Sequence, residues 1–129
     1  LTVRLVPASR QPLRVVLDPK HRINPDAQMM HEEGETLLMQ ENFSGLPSLL
    51  HQLADREIQR LLVEGGPTTV HRFLEEGLVD EVFLIRSQTV HASPVPSGIT
   101  SDVLSAAGLE MVHEYVWGAE RVEHYLRSD

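Results

Sequence analysis

Apolar residues come in short runs along the chain, and the period changes from one run to the next. Leu13-Arg14-Val15-Val16-Leu17 lies between Pro12 and Asp18-Pro19 and predicts a buried strand with a polar stop. Glu35 to Gln40 predicts a second, weaker strand, after a polar loop holding the turn signal Asn24-Pro25-Asp26. Ser44 is placed as a helix cap ahead of Leu46, Leu49, Leu50, Leu53 and Ala54, which recur at helical spacing up to Ile58. Leu61-Leu62-Val63 predicts a fully apolar strand running into Glu64-Gly65-Gly66-Pro67. Val70, Phe73, Leu74 and Leu78 then mark a helix that Gly77 ends. Val82 to Ile85 predicts another strand, Ser87 to Ser101 an irregular loop, and Asp102 to Ala107 a short helix. Alternation from Glu110 to Trp117, a turn at Gly118 and a return over Arg121 to Leu126 predict a closing hairpin. Strands alternating with helices give an α/β three-layer domain with a mostly parallel sheet and a C-terminal antiparallel hairpin.

Composition narrows the function classes. A chain of 129 residues has room for one domain, and 41% hydrophobic with 23% charged residues suits a folded core. No cysteine is present, which excludes disulfides, thiolate metal sites and a cysteine nucleophile. No apolar run nears the ~18–20 residues of a membrane span, and no targeting pattern opens the chain, so a cytoplasmic location and no membrane partner are expected. The net charge of −8 disfavours a nucleic-acid partner. Ten of the eleven basic residues are Arg, which suits local capture of phosphate or carboxylate. The seven histidines lack the spacing of a helical zinc site, and no Ser elbow or triad occurs, so no metal ligand and no catalytic side chain is assigned.

The most informative chemistry lies at Leu61 to Thr69. A strand that runs into paired glycines and a helix start offers free N–H groups and a positive dipole end, a seat for phosphate. Hydroxyls of Thr68 and Thr69 add donors. The same residues also fit a plain tight turn with Thr68 as helix cap. Glu64, at the strand end, is suited to accept from sugar hydroxyls or a base N–H. Arg4 fits an anion clamp, but spacing alone favours a plain surface Arg.

These segments resemble a known family. Leu62-Val63-Glu64-Gly65-Gly66-Pro67-Thr68, then Phe73-Leu74 and Leu78-Val79-Asp80-Glu81, resembles the signature of the reductase domain of the bifunctional riboflavin-biosynthesis deaminase/reductase. Leu1-Thr2-Val3-Arg4, Pro12 to Asp18, and Gly118-Ala119-Glu120-Arg121 with Tyr125 resemble flanking family segments. The resemblance implies a dihydrofolate-reductase-like fold. It implies NADPH-dependent reduction of 5-amino-6-(5-phosphoribosylamino)uracil to its ribitylamino form, by hydride transfer to C1′ of the opened ribose, and a homodimer. Carried over residue by residue, it makes Leu1, Arg4 and Glu64 substrate contacts. It makes Asp18, Gly65, Gly66, Pro67, Thr68, Thr69, Val70, His71 and Arg72 cofactor contacts.

Three departures stand beside it. Pro19 occupies a position where the family often has a cofactor-touching Ser. Ser87 to Pro94 replaces an Ala-Pro pair and a Gly-containing loop. The family's first strand, helix and Gly-Thr segment have no counterpart ahead of Leu1. The expectation is therefore that residues 1–129 form the later part of one reductase domain, its N-terminal strands missing, with a deaminase domain upstream in the natural protein. Two alternatives stay open. One is another pteridine or dihydrofolate-reductase-like NADPH reductase. The other is an inactive fragment acting only as a nucleotide-binding or oligomerisation module.

Overall fold

Strand β1, Arg14–Leu17, and strand β2, Thr36–Met39, pair in parallel, Arg14 opposite Thr36 and Leu17 opposite Met39. Both follow from the β-branched and Leu-rich runs read in the sequence. The computed structural model describes residues 2–40, 44–89 and 95–128. The chain divides into two compact units, Leu1–Arg60 and Leu61–Asp129.

In the first unit the polar loop between β1 and β2 contains a short 3-10 helix, Gln28–Met30, that the polar pattern does not predict. Asp18 organises the other end of this loop. Its carboxylate accepts from the backbone N–H of Arg22 (2.8 Å) and Ile23 (3.0 Å) and from the Gln40 amide (3.2 Å). Helix α1, Leu46–Asp55, buries Leu46, Leu49 and Leu53 along one stripe. Its N-cap is Gly45, with Pro47 in the first turn, where Ser44 is expected from the sequence. The positive φ of 102° at Gly45 makes the entry, and no side chain caps it.

The end of α1 is a Schellman closure. Ile58 N–H donates to the Leu53 carbonyl and Glu57 N–H to that of Ala54, with Glu57 at φ 62°. A left-handed conformation costs an L residue about 1–2 kcal/mol, and glycine returns roughly 0.5 of that as unfolded-state entropy. Glu57→Gly is therefore expected to stabilise the protein by about 0.5 kcal/mol or more, read as a raised thermal midpoint. A lowered midpoint would show that the Glu57 side chain contributes more than its backbone costs.

In the second unit, helix α2, Pro67–Glu75, ends as the sequence predicts: Gly77 sits at φ 66° and Leu78 N–H reaches the Phe73 carbonyl. Strand β3, Glu81–Arg86, and helix α3, Ser101–Ala106, follow, the Thr100 hydroxyl accepting from Val103 N–H as the cap of α3. Strands β4, Leu109–Trp117, and β5, Glu120–Arg127, form the closing hairpin. The sheet order is β3-β5-β4, antiparallel throughout. Leu74, Leu104, Leu109 and Tyr125 form a buried cluster, with Val70, Val82, Leu84, Ile99 and Val103 packed against it.

Three expectations are corrected. Among the described residues parallel pairing is confined to β1–β2, where a mostly parallel sheet is expected, because β3 takes its partner from the returning hairpin. Leu61-Leu62-Val63 has no ladder partner among the described residues and is not a strand, and Leu62 is 78% exposed. Apolarity marks a segment able to pair, but a strand also needs a neighbour. In β4 a bulge between Met111 and His113 inverts the alternation: Met111 faces Tyr125, whereas His113 faces His124. Of the loop expected over Ser87 to Ser101, residues 90–94 lie outside the described residues.

Candidate functional site

The segment from Glu64 to Arg72 is where sequence and structure place chemistry together. Glu64 ends the extended run and is exposed. Gly66 is the N-cap of α2, in extended backbone at φ −68°, ψ 166°, and Pro67 occupies the first helical position. Thr68 is therefore not the cap. The Gly66 carbonyl accepts from Thr69 N–H (3.1 Å) and Val70 N–H (3.3 Å). Thr68 N–H, in the first turn, has no intrahelical acceptor, as at the start of any α-helix.

The two glycines differ. A Cβ on Gly65 would stand 3.3 Å from the Thr69 Cβ, so tight packing accounts for that glycine. A Cβ on Gly66 would meet nothing within 4 Å. Its backbone is ordinary for any L residue, so neither strain nor crowding within the described chain calls for glycine at Gly66. The space over Gly66 is left open.

Downstream side chains divide their tasks. Val70 packs against the buried cluster. His71 Nε2 lies 3.0 Å from the Ser97 carbonyl and donates to it. Arg72 pairs with Glu76 one turn on (3.6 Å). In the first unit, Arg4 is exposed and donates from Nε to the Thr2 hydroxyl (3.0 Å). Asp18 is buried and its carboxyl is held below the usual range, chiefly by the Arg22 and Ile23 N–H groups. Leu1 lies outside the described residues.

A second polar cluster escapes the sequence reading. Glu123 is 3% exposed. Its carboxylate accepts from Arg86 Nε (2.6 Å), Arg121 Nη2 (2.7 Å) and the Tyr125 hydroxyl (2.8 Å). Arg86 first, with Tyr125 and Arg121 adding, outweighs burial and lowers the Glu123 pKa to about 2. The same contacts raise the Arg86 pKa, and burial with the Glu123 contact raises that of Tyr125. Only the β3–β5 register, which sets Arg86 opposite Arg121, brings these residues together. Among the described residues no three His, Cys, Asp or Glu side chains converge as metal ligands, and no helix is long and apolar enough to cross a membrane.

A sequence model of the family described as the RibD C-terminal domain matches residues 1–87. The chain belongs to the RibD C-terminal domain family. Riboflavin biosynthesis protein RibD of Aquifex aeolicus is 34% identical over 103 aligned residues, covering 64% of this chain and 29% of that protein. The RibD of Mycobacterium tuberculosis is 33% identical over 98 residues, 74% of this chain and 27% of that protein. The chain thus spans less than a third of the length of either of these relatives. A Thermotoga maritima structure, described as a diaminohydroxyphosphoribosylaminopyrimidine deaminase/5-amino-6-(5-phosphoribosylamino)uracil reductase, superposes with TM-score 0.72 at 24% identity. That superposition covers 92% of this chain and 38% of that one. This last likeness carries the fold, the dihydrofolate-reductase-like α/β arrangement of the RibD C-terminal domain.

Proposed function

We propose that this RibD C-terminal domain carries out NADPH-dependent reduction of 5-amino-6-(5-phosphoribosylamino)uracil to 5-amino-6-(5-phosphoribitylamino)uracil. The observation that supports it most is Gly66, a glycine with relaxed backbone and open space above it at the head of a nine-residue helix. An anion approaching there meets backbone N–H groups and the positive end of the helix dipole without a side chain in the way.

When bound, NADPH supplies the hydride, and the chain's own residues bind and align. In this reading the cofactor phosphates rest on Gly65, Gly66 and the N–H and hydroxyl of Thr68, with Pro67, Thr69, Val70, His71 and Arg72 completing the helix that presents them. Val70 would contribute through its backbone, since its side chain is in the core. Glu64 accepts from substrate hydroxyls or a base N–H. Arg4, an exposed guanidinium, takes the sugar phosphate, and Leu1 belongs to the same substrate set. Asp18 enters the cofactor set through the loop after β1 that it shapes rather than as a free carboxylate, because its oxygens already hold three donors.

The wider context belongs to the same proposal. The domain is the later part of a cytoplasmic reductase whose full chain also carries a deaminase domain. The apolar run Leu61-Leu62-Val63, unpaired among the described residues and exposed at Leu61 and Leu62, would pair as a strand with neighbours from the rest of the reductase domain. Phe83, Ile85, Tyr115 and Trp117 share one sheet face by register and are exposed, which suits a homodimer contact.

The test is NADPH oxidation on addition of the phosphoribosylaminouracil. Turnover upholds the proposal. Cofactor binding without turnover, also for other pteridine-type substrates, points instead to a nucleotide-binding module. Gly66→Leu is expected to weaken NADPH binding at least tenfold with the thermal midpoint unchanged, a branched side chain standing where a phosphate must approach. Unchanged affinity in a titration would remove the phosphates from this helix start.

A further inference from the structure

The segment after the described end of β3 returns to α2 at one point. His71 donates from Nε2 to the Ser97 carbonyl, and at the next residue the chain passes so close that a Cβ on Gly98 would stand 2.9 Å from the same nitrogen. Gly98 is also at φ 65°, so glycine is required there both for conformation and for the approach. Beyond it, Ile99 donates to the Ser97 hydroxyl and packs on the buried cluster, and Thr100 caps α3. The segment Ser97 to Thr100 is thus fastened at one end to the core and at the other to a single imidazole.

The position of that imidazole matters. His71 is the fifth residue of α2, and helical side chains lean toward the N-terminus, over the residues three and four before them. Those residues are Thr68 and Pro67. The latch therefore holds Ser97 and Gly98 over the Pro67–Thr68 flank of the first turn of α2, outside the 4 Å left clear around Gly66. The bond to Ser97 occupies Nε2 of the His71 ring.

We propose that His71 is a positioning residue: its Nε2–H bond to the Ser97 carbonyl holds the Ser97–Gly98 segment as a side wall of the phosphate seat at the start of α2. The inference rests on the cofactor reading above.

Three variants test it, with NADPH affinity measured by titration and amide hydrogen exchange measured over Val95 to Ile99. His71→Ala is expected to speed exchange in that segment and to weaken NADPH binding about fivefold, the worth of one neutral hydrogen bond, raising the cofactor KM with kcat held. His71→Gln, whose amide N–H reaches as far as Nε2, is expected to restore both. Gly98→Ala, which forces the segment off the ring, is expected to reproduce the alanine phenotype and carries the test if His71→Ala does not fold. Native affinity in His71→Ala, or a Gln variant as weak as the Ala variant, overturns the latch. If Gly66→Leu abolishes binding while His71→Ala leaves it intact, the latch alone falls. If the unaltered protein does not bind NADPH, the cofactor reading falls and the latch with it.

Discussion

Glu123→Ala is expected to cost about 3 kcal/mol of stability or more, read as a loss in urea or thermal unfolding. The substitution removes the one carboxylate that lies between Arg86 and Arg121, which stand directly opposite each other on β3 and β5. Like charges facing across a ladder repel. The Tyr125 hydroxyl, in a side chain only 3% exposed, loses its acceptor at the same time. Glu123→Gln keeps the shape and one acceptor oxygen but no charge, so it is expected to lose less. The fall must come from the cluster rather than from a hole, and the double variant Arg86→Met/Glu123→Leu checks this. It should recover part of the loss, because Arg86 no longer stands uncompensated, while Arg121 keeps Glu114 (3.6 Å) and the Tyr125 hydroxyl still lacks its acceptor. A double variant no better than Glu123→Ala would place the cost in packing.

Acid should reveal the same cluster. The Glu123 pKa is lowered from 4.5 to about 2 in the folded chain. A depressed carboxylate stabilises the fold fully above its unfolded pKa, and the contribution disappears as pH falls through the folded value. The native protein is therefore expected to lose stability between about pH 4.5 and about pH 2. Glu123→Gln should show a flatter profile over that window.

The second large effect is expected at Arg14. This residue is 4% exposed, and its partners are carbonyls. Its guanidinium donates to the backbone oxygens of Glu33 (2.9 Å), Glu32 (3.1 Å) and Gly34 (2.9 Å) and to the Thr36 hydroxyl (2.9 Å). One side chain on β1 thus gathers the loop that leads into β2. Arg14→Met retains the stem and removes every donor. Leaving part-buried carbonyls unsatisfied costs about 1–3 kcal/mol each at worst, so a loss of about 3 kcal/mol is expected. Arg14→Lys should recover only part of it, since an ammonium cannot fork to carbonyls on both sides. A near-native unfolding curve for Arg14→Met would mean that water replaces the guanidinium in the loop.

The candidate site was legible to an unequal degree. Glu64 to Thr69 stood out because its chemistry is local: glycines, a proline and a helix start within a few positions of one another. The division of labour within it was not legible. Nothing in the order of residues separates Gly65, crowded by Thr69, from Gly66, open above, and nothing marks Val70 as core or His71 as the partner of Ser97, 26 residues away. Asp18 stood out as a strand-end acid, yet what occupies its oxygens is the loop that follows and the Gln40 amide.

By itself the sequence determined the local elements and the family. Hydrophobic period placed both strands of the first unit, α1, α2, β3 and the hairpin, and turn chemistry placed the stops at Gly77 and Gly118, both at positive φ. These depend on neighbours a few residues apart, which the order of residues records directly. Tertiary structure alone decided that β5 lies between β3 and β4, that a bulge sets Met111 and His113 on opposite faces, and that Leu61-Leu62-Val63 goes unpaired among the described residues. It alone gave Glu123 its arginine 37 positions away and Arg14 its loop about 20 positions on. Pairing, register and charge partnership are properties of two segments at once, and no single segment carries them.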